Sequence, residues 1–505
     1  MLKFVDDFLD RITMYRLVLY YLLGLLGVAF VFGFFRILPA DPTAIAFSTI
    51  LILAVSWLTN RLFARVFGAP ANVESIYITA FILVLIVPPV TTSDLAGVGA
   101  TVFVAVWAMA SKFIFAVGRK HLFNPAAFAV AASALFLNWP ATWWAAGNLP
   151  LLPFVLVGGL LVVRKLRRFD LVASYIVVTL ATLLATSTPA HYATAIREAL
   201  VYSPLFFFAF VMVTEPLTAP QGRLPRILYG ALVGFLSAPN VHIGSFYFTP
   251  EIALLVGNLF TWVVSPKGRL LLTLERIEKS ASDAYDFVFS ADRQFAFQAG
   301  QYLEWTLGLA HPDDRGNRRY FTIASAPTEE DVRLGVKFYP RSSTFKRALA
   351  DMKPGDTIVA SQLAGGFTLP ANKQEKLAFI AGGIGITPFR SMIQYLLDKN
   401  ERRSIVLLYG AETTADLAYT DVLEEAKQRL GIRTFYAATS EGRPPKGVHK
   451  GFIDTDFIRR QIPDYRERTF YLSGPRAMVT VFQRELREIG VHRTRIKVDF
   501  FPGFA

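Results

Sequence analysis

The chain has 505 residues, of which 53% are hydrophobic and 18% charged, and this composition excludes a disordered chain, a collagen-like fibre and an ordinary soluble protein. It contains no cysteine, which excludes disulfides, thiolate zinc sites, cysteine-ligated iron–sulfur clusters and a nucleophilic cysteine. Its net charge of +13 fits either nucleic-acid binding or a membrane-orientation signal, and the positions of the charges distinguish the two.

Charged residues are sparse in the first half of the sequence and frequent in the second half, so we expect three domains. Residues 1–265 have the composition of a transmembrane domain. A short linker rich in proline, glycine and basic residues follows at 265–269. Beyond it we predict a soluble antiparallel β-barrel over 268–370 and a doubly wound α/β nucleotide-binding domain over 371–505.

About ten apolar stretches in the first half approach the length of a bilayer-spanning helix. Several are shorter than about 20 residues, which favours broken or re-entrant helices packed against protein. The predicted spans are residues 17–35, 43–59, 73–90, 97–117, 125–138, 150–163, 170–187, 201–214, 226–238 and 249–264.

Lysine and arginine concentrate in alternate loops between these spans, for example at 164–168 and at Arg223 and Arg226. By the positive-inside rule, both ends of the transmembrane domain are cytoplasmic and the protein is a multi-pass protein of the inner membrane. The soluble half is therefore predicted to be cytoplasmic. The basic excess indicates orientation in a lipid bilayer, and we do not expect nucleic acid as a partner.

The soluble half changes its pattern near residue 370. Before this point, short strands with alternating polar and apolar residues are separated by Gly, Pro and Asp turns, which predicts the antiparallel barrel. From residue 376 onward, buried strands alternate with helices, which predicts a parallel sheet that binds ligands at the carboxyl ends of its strands.

Two motifs in the barrel suit a flavin dinucleotide. The stretch 319–322 (RYFT) ends a strand and offers a guanidinium for a pyrophosphate, an aromatic ring for an isoalloxazine and a hydroxyl for its N5 atom. The stretch 342–344 (SST) opens a helix, where backbone N–H groups and hydroxyls can meet a phosphate. The candidate FAD-binding residues are Arg319, Tyr320, Phe321, Thr322, Lys337, Ser342, Ser343 and Thr344.

Three stretches of the α/β domain suit a nicotinamide dinucleotide. The glycine-rich turn 381–388 lies between a strand and a helix and allows close approach of a pyrophosphate, and 471–478 ends a later strand. Acidic residues in 410–416 would repel the 2′-phosphate of NADPH, which favours NADH over NADPH. The candidate NAD(P)H-binding residues are Gly382, Gly383, Gly385, Thr387, Pro388, Gly410, Glu412, Gly474, Pro475 and Met478.

The order of these motifs over 268–505 resembles the ferredoxin–NADP reductase family. The resemblance implies that Arg319, Phe321 and Thr322 hold FAD, that 343–344 meet its pyrophosphate, and that the glycine-rich turn holds the nicotinamide dinucleotide. Ser473 stands where the family often has cysteine, so the polar group near the hydride path is a hydroxyl. Many members end in a stacking tyrosine, whereas this chain ends DFFPGFA. The candidate catalytic residues are therefore Thr322, Ser473 and Phe501.

Two stretches of the first half, 118–127 and 214–220, place helix breakers at membrane depth. Such breaks line cavities or are buried in protein, and the acid at Glu215 is costly in a membrane. The structural alternative is that prolines and polar caps simply end helices there. Stacked b-type haems are not expected, because this half has only the histidines His121, His191 and His242.

Residues 40–265 resemble the ten-span subunits shared by the sodium-pumping NADH:quinone reductase and the Rnf complex. The matching stretches are 72–75, 120–128, 142–144, 164–170, 214–220, 228–232, 250–251 and 257–258. The resemblance implies a membrane flavin, FMN or riboflavin, and one-electron transfer within the bilayer. The family attaches FMN to a threonine in a Ser-Gly-Ala-Thr type motif, but 185–189 read ATSTP, which favours a non-covalent flavin. The candidate residues for it are Arg119, His121, Asn124, Thr188, Thr214, Glu215 and Thr218.

These features predict a membrane-bound NAD(P)H oxidoreductase in which FAD passes electrons to a membrane flavin and then to a quinone or an extracytoplasmic redox partner. Two alternatives stay open. The membrane half could be an ion or flavin transporter coupled to the reductase, with Glu74, Glu215 and Glu251 as pathway groups, or it could be an inert anchor.

Overall fold

The structure divides the chain into two units, Met1–Gly268 and Arg269–Ala505. It is a computed structural model, and it describes residues 5, 8–9, 12–68, 73–117, 120–264, 269–309, 313, 316–340, 342–442 and 445–499. The first unit is almost entirely helical, and the second contains two six-stranded sheets.

The helices of the first unit begin and end near the predicted apolar stretches. They are α1 (Met14–Phe34), α2 (Pro42–Val66), α3 (Val73–Ile86), α4 (Leu95–Ile114), α5 (Pro125–Leu137), α6 (Leu152–Leu166), α7 (Phe169–Thr186), α8 (Tyr192–Val201), α9 (Leu205–Phe207, continued by a π-helical turn at Phe208–Met212), α10 (Arg223–Leu236) and α11 (Pro250–Val264). Two short hairpins accompany them, β1–β2 (Ala116–Val117 and Lys120–His121) and β3–β4 (His242–Ile243 and Phe246–Tyr247).

Within the described residues, four helices (α1, α2, α4 and α7) are long and apolar enough to cross a membrane. The pair Pro189–Val201 and Leu205–Met212, bent by 55°, makes a fifth if it is a single span. Three shorter apolar helices, Glu74–Ile86, Pro125–Leu137 and Pro250–Val264, accompany them. The unit is therefore a helical membrane domain, and the number of ten spans stays a prediction.

Small residues bring α7, α10 and α11 into direct contact. A Cβ atom at Gly230 would lie 2.7 Å from the Leu171 carbonyl oxygen, and one at Gly234 would lie 2.6 Å from the Tyr175 carbonyl oxygen. Glycines four residues apart allow such close packing of helices in membranes. This packing holds α10, the helix that follows the broken stretch 214–220, against α7.

The second unit begins with a curled antiparallel sheet. Its strands are β5 (Leu270–Lys279), β6 (Ala284–Ala291), β7 (Tyr302–Thr306), β8 (Arg318–Thr322), β9 (Val332–Lys337) and β10 (Thr357–Ala364). The strand order is β8-β7-β10-β5-β6-β9, so β8 and β9 form its two edges among the described residues. Alternate side chains such as Phe287, Phe289 and Leu334 point into a core that is covered by α12 (Thr344–Ala350).

A parallel sheet follows, with strands β11 (Leu377–Gly382), β12 (Ile405–Ala411), β13 (Arg433–Ala438), β14 (Val448–Lys450), β15 (Thr469–Ser473) and β16 (Ile496–Asp499). The helices are α13 (Thr387–Asp398), α14 (Thr420–Leu430), α15 (Thr455–Gln461) and α16 (Arg476–Glu488). The strand order β14-β13-β12-β11-β15-β16 changes direction at β11. Ligands bind at such a switch point, so the predicted antiparallel and parallel sheets are confirmed and the crevice between β11 and β15 is the place to look for a site.

Candidate functional site

The predicted NAD(P)H motifs meet at the carboxyl ends of three neighbouring parallel strands. Gly382 at the end of β11 is in register with Gly410 of β12, and Ala381 lies beside Ser473 of β15. Strand β11 continues into a single 3₁₀ turn, Gly383–Ile386, and then into α13. The glycine-rich turn therefore crosses the top of the sheet at its switch point.

Glycines make the contact between this turn and the Ser473 segment possible. A Cβ atom at Gly385 would lie 2.5 Å from the Gly474 Cα atom, and one at Gly382 would lie 2.3 Å from the Met478 sulfur atom. Gly383 and Gly474 also have positive φ angles, 52° and 153°, which side chains disfavour. Any larger residue would separate the two segments that bound the crevice.

Four further predicted residues lie around the same strand ends. Thr387 opens α13 and donates a hydrogen bond from its hydroxyl to the Ile384 carbonyl oxygen at 3.2 Å, and Pro388 follows it in the first turn. The Pro475 ring lies 3.3 Å from the position of a Cβ atom at Gly382. Glu412 is exposed immediately after β12.

The predicted FAD motif on β8 is divided between the two faces of the strand. The Arg319 guanidinium lies 5.3 Å from the centre of the Phe345 ring, and the Phe321 ring lies 6.0 Å from the same ring. Tyr320 points to the opposite face, where its hydroxyl donates to a Glu304 carboxylate oxygen at 2.8 Å. Alternation places Thr322, which is 5% exposed, on the face of Tyr320.

Arg319 and the start of α12 converge on one anionic group. The Arg319 Nη2 atom lies 3.5 Å from one carboxylate oxygen of Asp313, and the other oxygen accepts from the Thr344 backbone N–H at 3.0 Å. Here the carboxylate takes the place that a phosphate oxygen of a dinucleotide would take. Ser343 caps α12, and the Ser342 hydroxyl donates to the Tyr339 carbonyl oxygen at 2.6 Å.

Lys337 lies away from this anion-binding point. Its Nζ atom is 3.1 Å from Asp416, in the loop after β12, so it joins the two sheets, and its contact with FAD stays a prediction. Asp416 also accepts from the Ser282 hydroxyl at 2.5 Å and from the Thr413 hydroxyl at 2.8 Å. Of the two acidic residues predicted to disfavour NADPH, Asp416 is thus engaged inside the protein and Glu412 faces solvent.

Four of the residues predicted to bind a membrane flavin are brought together by the broken helices. Glu215 accepts from Asn124 Nδ2 at 2.8 Å and from the Thr218 hydroxyl at 2.9 Å, and its other carboxylate oxygen is 3.4 Å from His121 Nε2. Asn124 is also the N-cap of α5, so the structural interpretation of this motif holds alongside the functional one. Phe501 and Arg119 lie outside the described residues.

The two other membrane candidates differ in their location. The Thr214 hydroxyl donates to the Phe210 carbonyl oxygen at 2.6 Å, and the Thr214 carbonyl oxygen accepts from Arg168 at 3.4 Å, at the start of α7. Thr188 is exposed beyond the far end of α7, 2.7 Å from His191 Nδ1. A helix of this length separates them by about 27 Å, so Thr188 does not share a site with Glu215.

Comparison with known proteins matches a part of each unit. Residues 379–484 match the oxidoreductase NAD-binding domain, and residues 145–266 match the NQR2, RnfD, RnfE family. The chain thus contains one segment similar to the NQR2, RnfD, RnfE family and one similar to the oxidoreductase NAD-binding domain. Both resemblances seen in the sequence are thereby confirmed over these residues.

Similar proteins include the reductase component of propane 2-monooxygenase from Rhodococcus jostii, which is 31% identical over 42% of this chain and 57% of that protein. A flavohemoprotein from Xylella fastidiosa is 28% identical over 40% of this chain and 51% of that protein. The chain therefore spans about half the length of the curated relatives it matches. The solved cytochrome P450 reductase GcoB of Amycolatopsis aligns with a TM-score of 0.42 at 25% identity, over 46% of this chain and 69% of that chain.

Sequence reasoning missed several polar residues on α10 and α11 that accompany the Glu215 cluster. Asn258 accepts from the Asn124 backbone N–H at 2.8 Å and donates to the Thr218 carbonyl oxygen at 3.3 Å. The buried Thr261 hydroxyl has no hydrogen-bond partner among the described residues, and the buried Tyr229 hydroxyl lies next to Asn258. Asn258, Tyr229 and Thr261 could have been selected from the sequence because each is a polar residue in an otherwise apolar helix.

We expect acid to weaken the contact between the two sheets through Asp416. Burial alone would raise the pKa of this carboxyl, but hydrogen bonds from Ser282 and Thr413 and the nearby Lys337 ammonium lower the pKa to about 2. The side-chain carboxyl of an unfolded aspartate has a pKa of about 3.9. The ionised carboxylate therefore stabilises the folded protein fully above about pH 4, and this contribution is lost as the pH falls through 2.

Denaturant unfolding of the second unit between pH 6 and pH 2 measures this effect. Asp416→Asn should lower the free energy of unfolding at pH 6 and flatten its decline towards pH 2. The exposed Asp351 supplies the control variant Asp351→Asn, which should follow the wild type. Parallel curves for Asp416→Asn and the wild type would contradict the assignment.

Proposed function

We propose that this protein is a membrane-bound NAD(P)H oxidoreductase that holds FAD on the curled antiparallel sheet and passes electrons into its membrane half. The observation that carries the proposal is the contact of Gly385 with Gly474 at the switch point of the parallel sheet. This contact bounds a crevice for a dinucleotide in the matched NAD-binding domain. The relatives named as a reductase component and as flavohemoproteins support the same activity.

The residues present suit the FAD pyrophosphate. The Arg319 guanidinium and the Thr344 backbone N–H already converge on the Asp313 carboxylate. The phosphates of FAD can accept hydrogen bonds from the same two donors, and they are stronger acceptors than a carboxylate. Arg319 and the 343–344 segment would hold this group, and Phe321 would support the isoalloxazine. When bound, FAD supplies the ability to accept a hydride from NAD(P)H and to release its electrons singly.

The protein itself supplies binding and orientation in the crevice. Gly382, Gly383 and Gly385 let a pyrophosphate approach the backbone, and Pro388 fixes the first turn of α13 behind it. Ser473, which is 4% exposed at the end of β15, would then have its hydroxyl beside the path between the two rings.

In the membrane half we propose a non-covalent FMN or riboflavin at the Glu215 cluster. The unpartnered hydroxyl of Thr261, one turn along α11 from Asn258, supports a bound polar group, because a buried hydroxyl without a partner is costly. Tyr229 contacts Gly257, the neighbour of Asn258 in the cluster. From this flavin, electrons would pass to a quinone or an extracytoplasmic redox partner. The protein would lie in the inner membrane with its reductase half in the cytoplasm.

Replacing Arg319 tests the FAD assignment. We expect purified Arg319→Ala to lose most of its FAD, because the guanidinium is the charged partner of the pyrophosphate, while the membrane half stays folded. FAD content per polypeptide, measured by absorbance after release, is the readout. Arg347→Ala, an exposed arginine on α12, should retain its FAD. Full FAD content in Arg319→Ala with wild-type NADH turnover would disprove the assignment.

A flavin count tests the membrane site. We expect denaturing extraction of the wild type to release FMN or riboflavin in addition to FAD. Thr218→Val should lose the second flavin, because it removes a buried hydroxyl that binds Glu215, and Thr188→Val should keep it. Loss of the second flavin in Thr188→Val alone would place it at the far end of α7. A wild type that contains only FAD would refute the membrane site.

The exposed Glu412 predicts a preference for NADH. Its carboxylate would face the 2′-phosphate of NADPH at the end of β12, so NADH should have the higher kcat/KM. Glu412→Gln should raise kcat/KM for NADPH by roughly threefold to tenfold and leave that for NADH within a factor of about two. Glu425→Gln, on the exposed side of α14, is the matched control. A wild type that prefers NADPH would overturn this prediction.

A further inference from the structure

The two sheets of the second unit are joined by a buried contact that the sequence motifs do not include. The Tyr419 hydroxyl, ahead of α14, donates to an Asp286 carboxylate oxygen on β6 at 2.5 Å. Tyr419 is 7% exposed and Asp286 is 3% exposed. Hydrogen bonds to buried ionised groups are among the stronger polar contacts in proteins. This one crosses from the curled sheet to the nucleotide-binding sheet.

A missing side chain on the curled sheet makes room for this contact. Gly335 of β9 is the register partner of Asp286. A Cβ atom at Gly335 would lie 2.4 Å from the Tyr419 hydroxyl and 2.8 Å from the Thr387 methyl group. The same point on β9 therefore receives both Tyr419 and the first residue of α13, directly after the glycine-rich turn.

Tyr419 adopts a conformation that is costly for a large side chain. Its φ angle is +58°, in the left-handed region that non-glycine residues rarely occupy. Such a conformation costs on the order of 1–3 kcal/mol and persists where surrounding contacts impose it. Here the bond to Asp286 and the tight fit at Gly335 impose it.

Two other contacts hold the first two turns of α13 against the curled sheet. Arg390 donates to a Glu329 carboxylate oxygen at 2.9 Å and to the Ala324 carbonyl oxygen at 3.1 Å. The Ser391 hydroxyl donates to the Ser325 carbonyl oxygen at 2.7 Å. Residues 324–325 follow β8, which carries the predicted FAD motif. The start of α13 is thus fixed relative to the strand that would hold the flavin.

We propose that Asp286, Gly335 and Tyr419 are positioning residues that fix the glycine-rich turn against the curled sheet and so set the distance between nicotinamide and flavin. This inference rests on the proposed function. In the reaction, the nicotinamide C4–H bond breaks, and one proton with two electrons forms a new N–H bond at the flavin N5 atom. A displacement of about 1 Å can slow such a step by about a hundredfold.

Stopped-flow reduction of FAD by NADH in the purified full-length protein tests the proposal. We expect Gly335→Ala and Tyr419→Phe to lower the limiting rate constant at saturating NADH by at least about tenfold. FAD content should be unchanged, and the dissociation constant for NADH should change by less than about threefold. The controls are Gly308→Ala, where an added Cβ atom meets nothing within 4 Å, and Tyr395→Phe on α13. Both should react at the wild-type rate.

Hydrogen–deuterium exchange without NADH gives a second readout that does not depend on turnover. Residues 384–391 should exchange faster in Tyr419→Phe than in Tyr395→Phe, because the Tyr419–Asp286 bond that holds the two sheets together beside the start of α13 is lost. Wild-type exchange and a wild-type rate constant in Tyr419→Phe would overturn the inference. If Gly335→Ala loses FAD, Tyr419→Phe decides the result. A wild type whose FAD is not reduced by NADH would refute the proposed function itself.

Discussion

A charged group removed from water needs hydrogen-bond partners inside the protein. In the membrane half, the carboxylate of Glu215 is such a group, and its hydrogen bonds hold the surrounding loops together. One of its carboxylate oxygens accepts from Asn124, in the loop before α5, and from Thr218, in the loop after α9, so it joins the two loops. Asn258 then connects the same loops to α11. Without these partners, two broken backbone segments and a carboxylate would be buried at a cost of several kcal/mol each.

The same constraint shapes the reductase half. Its two sheets meet through charged groups: the Tyr419 hydroxyl donates to Asp286, and the Lys337 ammonium pairs with Asp416. A purely apolar interface would tolerate sliding, whereas hydrogen bonds to ionised groups fix both distance and direction. Fixed geometry suits a reaction between two bound rings, because the rate of such a step depends steeply on their separation.

The sequence sufficed to predict the strands, the glycine-rich turn and the edge of the sheet at which the motifs meet, because local periodicity and strand order determine these features. The side chains that contact each candidate residue could not be predicted from the sequence. Lys337 bonds to a residue 79 positions away, and His121 lies beside one 94 positions away. Strand alternation identifies the face of a side chain but not what faces it. The loop motif around Thr188 could likewise be placed at a helix end, but not relative to Glu215.

The position of the Glu215 cluster bears on how electrons would leave the membrane half. Its loop contacts Arg168 and Arg226, which belong to the basic loops predicted to face the cytoplasm. With that predicted orientation, a flavin bound there would lie near the cytoplasmic end of α7, about 27 Å along the helix from Thr188. Of the two proposed acceptors, a quinone diffusing in the bilayer could meet such a site directly, whereas an extracytoplasmic partner would need one more carrier between Glu215 and the far end of α7.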